Sequence, residues 1–120
     1  MRLSFRATEA AFEAGDDALV CGVSDGRDMY LMFQRTPESM IEDEGIYLEH
    51  RDQINSGYGC IRHCRLSRAQ LSVELSRQLG KLVGVEGFDV RLDVEETAYT
   101  KLSVGLQRIF RDQVNALTVA

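Results

Sequence analysis

Two cysteines and a histidine lie within five positions of the segment SGYGCIRHCRL, residues 56–66: Cys60, His63 and Cys64. Thiolates and imidazoles are the usual ligands of zinc, and a cysteine beside a basic group can become a nucleophile. These side chains are therefore the first candidates for chemistry in the sequence. Whether they can act together depends on the secondary structure that carries them.

The segment is predicted to be a β-strand, because its glycines and the alternating residues around it disfavour a helix. In a strand Cys60 and Cys64 share one face and His63 points to the other. The two cysteines are then about 13 Å apart at ~3.3 Å per residue, too far to share zinc or form a disulfide. We therefore expect inert cysteines here and at Cys21, no metal site and no cofactor.

The rest of the sequence contains no recognised catalytic motif. G-x-S-x-G, H-E-x-x-H, G-x-G-x-x-G and the Walker phosphate loop are all absent, and only two histidines occur. A polar pocket is the one arrangement that could serve a small enzyme or a ligand-binding domain, and its residues would be Tyr47, His50, Tyr58 and His63. This pocket is the alternative to a protein-binding function.

The composition is typical of one globular domain, residues 1–120, with 44% hydrophobic residues. The formal net charge of −5 disfavours nucleic acid as a partner, because phosphate binding needs clustered lysine and arginine. No apolar run approaches the ~18–20 residues of a membrane span. Arg6 and Glu9 interrupt any secretory signal, and three cysteines fit a reduced protein. We expect a cytoplasmic protein with no membrane partner.

Acidic side chains are the better candidates for a binding function. They form two predicted loop clusters: Glu42, Asp43 and Glu44 in the polar loop 36–45, and Asp16 and Asp17 at a turn. Carboxylates on a net acidic domain favour a basic protein partner. The exposed face around Tyr47, Glu49 and Arg51 is the second candidate for partner binding, and Tyr58 is a further candidate.

Alternation of apolar and polar residues predicts that most of the chain forms β-strands. In QLSVELS, for example, Leu71, Val73 and Leu75 point inward, and GFDVRLDV at 87–94 has the same pattern. Asp25-Gly26 predicts a hairpin turn before YLMFQR. QINS at 53–56 is predicted to be a turn, and RQLGKLVG at 77–84 a short helical turn.

The apolar period changes near the end of the chain. From Glu95 it becomes that of a helix, with apolar residues at Ala98, Leu102, Leu106 and Ile109 or Phe110. Asp93 is the predicted N-cap of this helix. The sequence therefore predicts an α+β fold, a mostly antiparallel β-sheet of six to seven strands with one C-terminal amphipathic helix packed on it.

Three segments in this order resemble the immunity protein 10 family of bacterial polymorphic toxin systems: YLMFQR (30–35), IYLEHRDQINSGYGCI (46–61) and VRLDVEETAYTKLSVGLQRIF (90–110). The resemblance covers residues 3–110 and rests on the order and spacing of the segments. It implies a small intracellular protein, encoded beside a toxin, that binds and neutralises the toxin's active domain. It implies no catalysis and no cofactor, and it supplies neither the identity of the toxin nor functional residues.

The leading hypothesis is a non-enzymatic immunity protein that binds and neutralises a cognate toxin domain in the cytoplasm. The rival hypothesis is the small enzyme or ligand-binding domain with the polar pocket described above. A third is an oligomeric scaffold, such as a homodimer in which sheet edges pair across a two-fold axis. A toxin gene directly upstream would favour the first hypothesis over both others.

Overall fold

The computed structural model describes residues 1–120 and contains ten strands and one α-helix. A short 3-10 helix, Val114–Ala116, precedes the last strand. The elements in chain order are β1 Arg2–Ala7, β2 Glu9–Ala14, β3 Leu19–Ser24, β4 Tyr30–Arg35, β5 Tyr47–His50, β6 Asp52–Tyr58, β7 Ile61–Leu66, β8 Gln70–Leu75, β9 Gly87–Leu92, α1 Glu96–Phe110 and β10 Leu117–Val119.

The strands form two five-stranded sheets. The first sheet has the order β1-β9-β8-β7-β10, and the second has the order β2-β3-β4-β5-β6. The predicted α+β class, the mostly antiparallel pairing and the C-terminal helix are confirmed. The predicted single sheet of six to seven strands is wrong in count, because the chain forms ten strands and passes to the second sheet at Thr8 and back to the first after Tyr58.

Strand β2 is one of the elements that the sequence pattern did not predict. Its sequence, EAAFEA, has no β-branched residue and is rich in good helix formers. It nevertheless pairs along its whole length with β3, from Glu9 opposite Ser24 to Ala14 opposite Leu19. Pairing with an apolar neighbouring strand therefore overrides the local preference for a helix.

The inward-facing residues of both sheets meet in one hydrophobic core. The alternation predicted in β8 and β9 is confirmed, since Leu71, Val73, Phe88 and Val90 are all fully buried. His50 lies in the same core, with its ring centroid 4.8 Å from that of Phe88 on the other sheet. The two sheets thus pack face to face, and their outer faces are left to the solvent.

Helix α1 packs on the inner face of the second sheet beside β2 and β3. Leu102, Leu106 and Ile109 are fully buried, as the helical period predicted. The N-cap is Glu95, so the predicted capping role of Asp93 is wrong. Asp93 instead forms an ion pair with Arg6. With 15 residues, α1 falls short of a membrane-spanning helix.

Two predicted turns differ from the structure. Residues 53–56 belong to β6, and the chain reverses two residues earlier at Arg51, which has a φ of 65°. Residues 77–84 form turns and no helix; Leu79 is buried there, whereas the side chain of Val83 is exposed. Cys60 lies in the turn before β7 and not within the strand.

Candidate functional site

Side chains from two separate loops surround a cleft at one end of the second sheet. The cleft has a volume of about 250 Å³. Asp17 reaches it from the β2–β3 turn, Glu42 and Glu44 from the loop after β4, and Tyr58 from the end of β6. We call these four residues the acidic cleft. The structure thus brings together members of both predicted acidic clusters and one predicted aromatic residue.

The loop that supplies Glu42 and Glu44 is fixed by a buried arginine. Arg35, with 3% of its side chain exposed, pairs with Asp43 at 2.7 Å and with Asp112 at 2.9 Å. It also donates to the carbonyl oxygen of Ile109 at 2.8 Å, and Arg111 lies 3.4 Å from Asp43. The hydrogen bonds that Asp43 accepts from Arg35, assisted by one from the backbone N–H of Gly45, lower the pKa of Asp43 well below its usual range. Asp43 therefore has a structural partner within the chain.

The carboxylates of the acidic cleft have no such partner. Asp16, Asp17, Glu42 and Glu44 are absent from the nine ion pairs of the chain, all within 4.0 Å. The outer face of the first sheet differs, because its Arg2 pairs with Asp89 and its Arg6 with Asp93. The acids of the cleft are therefore the ones available to a basic partner.

A tyrosine-rich surface adjoins the cleft on the outer face of the second sheet. Tyr47 and Tyr58 are opposite each other on β5 and β6, with ring centroids 5.3 Å apart. The carboxylate of Glu49 accepts a hydrogen bond from Tyr47 at 2.5 Å and another from Tyr30. We call Tyr30, Tyr47, Glu49 and Tyr58 the tyrosine face. It includes Tyr47, Glu49 and Tyr58, which the sequence suggested for partner binding, whereas Arg51 lies at the turn and pairs with Asp28 at 3.1 Å.

Tyr30 and Tyr47 keep their phenolic protons at neutral pH. Burial, assisted by the hydrogen bond to Glu49, raises the pKa of Tyr30 to about 12. Burial and the same carboxylate also raise the pKa of Tyr47. Both phenols therefore remain hydrogen-bond donors to Glu49 and hold its side chain against the sheet.

The polar pocket predicted around two tyrosines and two histidines does not form. Tyr47 and Tyr58 contact each other on the outer face, but His50 points into the core, where Nδ1 lies 2.8 Å from the carbonyl oxygen of Tyr30. His63 belongs to the first sheet, where Nε2 lies 3.1 Å from the hydroxyl of Thr118. His50 points inward because side chains alternate between the two faces along β5. His63 is separated from both tyrosines because β7 belongs to the other sheet.

The three cysteines are all free and buried. Burial raises the pKa of the Cys64 thiol to about 12 and that of Cys21 well above its usual value. Cys60 is packed beside the guanidinium of Arg77, with 3.5 Å between Nε and Sγ. Cys21 and Cys64 are therefore thiols and not thiolates at neutral pH.

Sequence reasoning missed three residues of this surface. Tyr30 is the second donor to Glu49, which only the β4–β5 pairing makes evident. Met40 lines the cleft and is 43% exposed, and Ile41 beside it is 100% exposed. The detectable signal was an apolar pair inside an otherwise polar loop. Adjacent exposed apolar side chains with a polar rim are typical of binding surfaces.

Comparison of the sequence with curated proteins gives no match. The profile of a family described as Immunity protein 10 matches residues 6–100, which is most of the chain and includes the tyrosine face and the acidic cleft. This match confirms the resemblance found in the three sequence segments. The chain belongs to the Immunity protein 10 family.

Proposed function

We propose that this immunity protein binds the toxin domain of a bacterial polymorphic toxin system and neutralises it in the cytoplasm, without catalysing a reaction. The acidic cleft and the tyrosine face together form the proposed interface. Membership of an immunity family supports the immunity function. The chemistry of the surface supports a protein partner with a basic patch.

The observation that carries this proposal is the convergence of unpaired carboxylates on one cleft. Asp17 and Glu44 come from loops separated by two strands, yet both line the cleft with Glu42. Placing like charges together costs stability and contributes nothing to the core. The arginine that lines the same cleft, Arg35, is already paired with Asp43 and Asp112. A basic partner gains from this arrangement, because complementary charge accelerates encounter and selects the correct partner.

The tyrosine face supplies the side chains that hold a partner after encounter. Tyrosine offers a large rigid area and a polar hydroxyl at a small cost in conformational entropy, and it is enriched among interface hot spots. Tyr58 is 41% exposed and stands between the face and the cleft. Met40 and Ile41 add apolar contact at the other rim. The combination of apolar anchors with a charged rim is typical of protein interfaces.

Coexpression with the toxin domain encoded beside this chain tests the proposal. The wild-type protein should restore growth to cells that express the toxin, and it should bind the purified domain in titration calorimetry. Tyr47→Ala/Tyr58→Ala should raise Kd about 30-fold or more, since tyrosine hot spots contribute roughly 2 kcal/mol or more. Tyr99→Ala on α1 is the matched control and should bind as the wild type does. No binding by the wild-type chain would refute the proposal.

The homodimer remains a separate proposal. Strand β10 is an edge strand of the first sheet and pairs with β7 on one side only. Its free edge could pair with that of a second copy. Sedimentation of the free chain over a concentration series measures this association directly, and a constant monomer mass would rule it out.

A further inference from the structure

A shallow trough crosses the outer face of the second sheet over β2, β3 and the first half of β4. It has a volume of about 260 Å³ and is mostly apolar. We call the following six residues the apolar trough: Ala11, Val20, Gly22 and Met32 as its floor, and Glu9 and Glu13 as its rim. None of them belongs to the acidic cleft or to the tyrosine face.

The trough is a fixed feature of the sheet, because Gly22 in its floor has no space for a side chain. Gly22 is opposite Met32 on β4 and Ala11 on β2. A Cβ atom at Gly22 would lie 2.7 Å from the carbonyl oxygen of Leu31, which is a clash with the backbone of the neighbouring strand. The floor therefore stays open unless a molecule outside the chain fills it.

The rim of the trough carries charge that the chain leaves unpaired. Glu9, Ala11 and Glu13 all point outward on β2, because Ala10 and Phe12 pack against the core. Each glutamate is two residues from Ala11, about 7 Å along the strand. Neither glutamate forms an ion pair within the chain. A cation placed over Ala11 would lie between the two carboxylates.

We propose that the apolar trough binds one arginine or lysine side chain of the toxin domain. The aliphatic stem of such a side chain would lie over Gly22 and Met32, and its charged head would lie between Glu9 and Glu13. Arginine and lysine bury their stems on apolar surface while their heads pair with carboxylates. A purely apolar side chain would fit the floor but would leave the two carboxylates without a partner.

The trough lies beside the tyrosine face, where a side chain of a bound toxin domain would reach it. Tyr30 lines the trough and also belongs to the tyrosine face, and Met32 is opposite Glu49. The trough is therefore continuous with the proposed interface. Interfaces concentrate their binding energy where an anchor side chain fills a pocket and excludes water. This inference rests on the proposed function, because the anchor must come from the toxin domain.

Two kinds of variant test the trough by titration calorimetry against the purified toxin domain. Ala11→Phe fills the trough at an exposed position, and Glu9→Gln/Glu13→Gln removes the charge while keeping the shape. Each should raise Kd at least about 10-fold, the loss of affinity expected when an anchor site is filled or its carboxylates are neutralised. The controls are Ala69→Phe in the turn between β7 and β8 and Glu74→Gln on β8, both at exposed positions outside the second sheet, and these should bind as the wild type does.

The partner side of the contact is identified by a double-mutant cycle. Exposed arginines and lysines of the toxin domain are replaced by alanine one at a time. One replacement should weaken binding to the wild-type chain about 10-fold and should have little further effect in the Glu9→Gln/Glu13→Gln background. Additive losses for every replacement would overturn the proposed basic anchor.

The outcomes separate this inference from the proposed function. If the wild-type chain binds the toxin domain but all trough variants bind equally well, the trough inference is wrong and the proposed function stands. If Ala11→Phe weakens binding and the glutamine variant does not, the occupant is apolar and the basic anchor is refuted. If the wild-type chain does not bind the toxin domain, both proposals fail.

Discussion

Arg35 and Asp43 form an ion pair with 2.7 Å between Nη2 and Oδ2, although one ends a strand and the other lies in a loop. The pair is extended by Asp112 and by the carbonyl oxygen of Ile109 at the end of α1. A loop that contributes to the proposed interface is thereby tied to the C-terminal helix. Of three consecutive acidic residues, the middle one stabilises the fold and its neighbours face the cleft.

Asp43→Asn should therefore destabilise the protein. The substitution keeps the shape of the side chain but removes the charge from a buried guanidinium, whose remaining partners are Asp112 and a carbonyl group. We expect a loss of about 2 kcal/mol in the free energy of unfolding, measured by urea denaturation at pH 7. The loss should shrink as the pH falls below the ordinary carboxyl pKa of 3.8, because the unfolded wild-type chain then gains a proton at Asp43 that the folded chain, with its lowered pKa, resists.

Glu44→Gln is the control for this measurement, because Glu44 lies in the same loop and makes no ion pair. Its free energy of unfolding should stay within about 0.5 kcal/mol of the wild-type value, as is usual for surface substitutions. Equal effects of the two substitutions would show that Arg35 does not depend on Asp43.

The sequence could not distinguish Asp43 from its neighbours. All three acids of the run are equally polar and lie in one loop, and only the end of β4 places Arg35 within reach of one of them. Asp112 comes from the far end of the chain. By contrast, the exposure of Tyr47 and Glu49 followed from simple alternation along β5, because Leu48 and His50 take the inward positions.

His50 should make the protein less stable in mild acid. Burial lowers the pKa of His50 below its ordinary value of 6.5, and the residue is neutral in the core. Below that pH the unfolded chain gains a proton that the folded chain resists, so stability falls as the pH decreases. Urea denaturation at pH 7.5 and 5.5 measures this fall.

His50→Phe should reduce the difference between the two pH values, because it places a ring without a titratable nitrogen beside Phe88. Carboxylates titrate mainly below about pH 5 and contribute little in this window. The variant loses the hydrogen bond to the carbonyl of Tyr30, so the pH dependence and not the absolute stability is the readout. An undiminished pH dependence would place its origin elsewhere.

Gly105 should resist replacement although it lies inside a helix. A Cβ atom there would lie 2.7 Å from the ring of Phe12 and 3.0 Å from Cβ of Cys21. Overpacking costs ~1–3 kcal/mol, whereas the gain in helix propensity on Gly→Ala is only ~1 kcal/mol. Gly105→Ala should therefore lower the free energy of unfolding by about 1 kcal/mol. Val104→Ala, at a half-exposed position of the same turn, should not lower it.

The helix and the later strands could be predicted because their patterns are local. In α1 the apolar period alone identified Leu102, Leu106 and Ile109 as buried. The division into two sheets could not be predicted, because it depends on the crossing at Thr8 and on edge pairings that join distant segments. Strand β1, for example, pairs in parallel with β9, so that Leu3 is opposite Phe88. Periodicity identifies which face of a strand is buried but not which strand lies beside it.

The carboxylates of the cleft should govern the rate of association with the toxin domain. Glu42→Lys/Glu44→Lys reverses two charges that have no partner within the chain and leaves Asp43 in place, so the fold should keep its stability. Steering charges act mainly on the association rate and its salt dependence. We expect association at low salt to slow about 10-fold or more and its salt dependence to flatten. Stopped-flow kinetics at two salt concentrations measures both quantities.

Glu74→Lys/Glu86→Lys is the matched control for this charge reversal. It changes the net charge by the same amount, but both residues are exposed beside the first sheet, away from the cleft, and the one ion pair lost is the exposed pair of Glu86 with the N-terminal amino group at 3.8 Å. Its association rate should therefore stay much closer to that of the wild type, because steering depends on where charge lies as well as on its total. Equal slowing by the two double variants would assign the effect to net charge. Unchanged association by Glu42→Lys/Glu44→Lys would remove the cleft from the interface and leave the tyrosine face and the apolar trough as the binding surface.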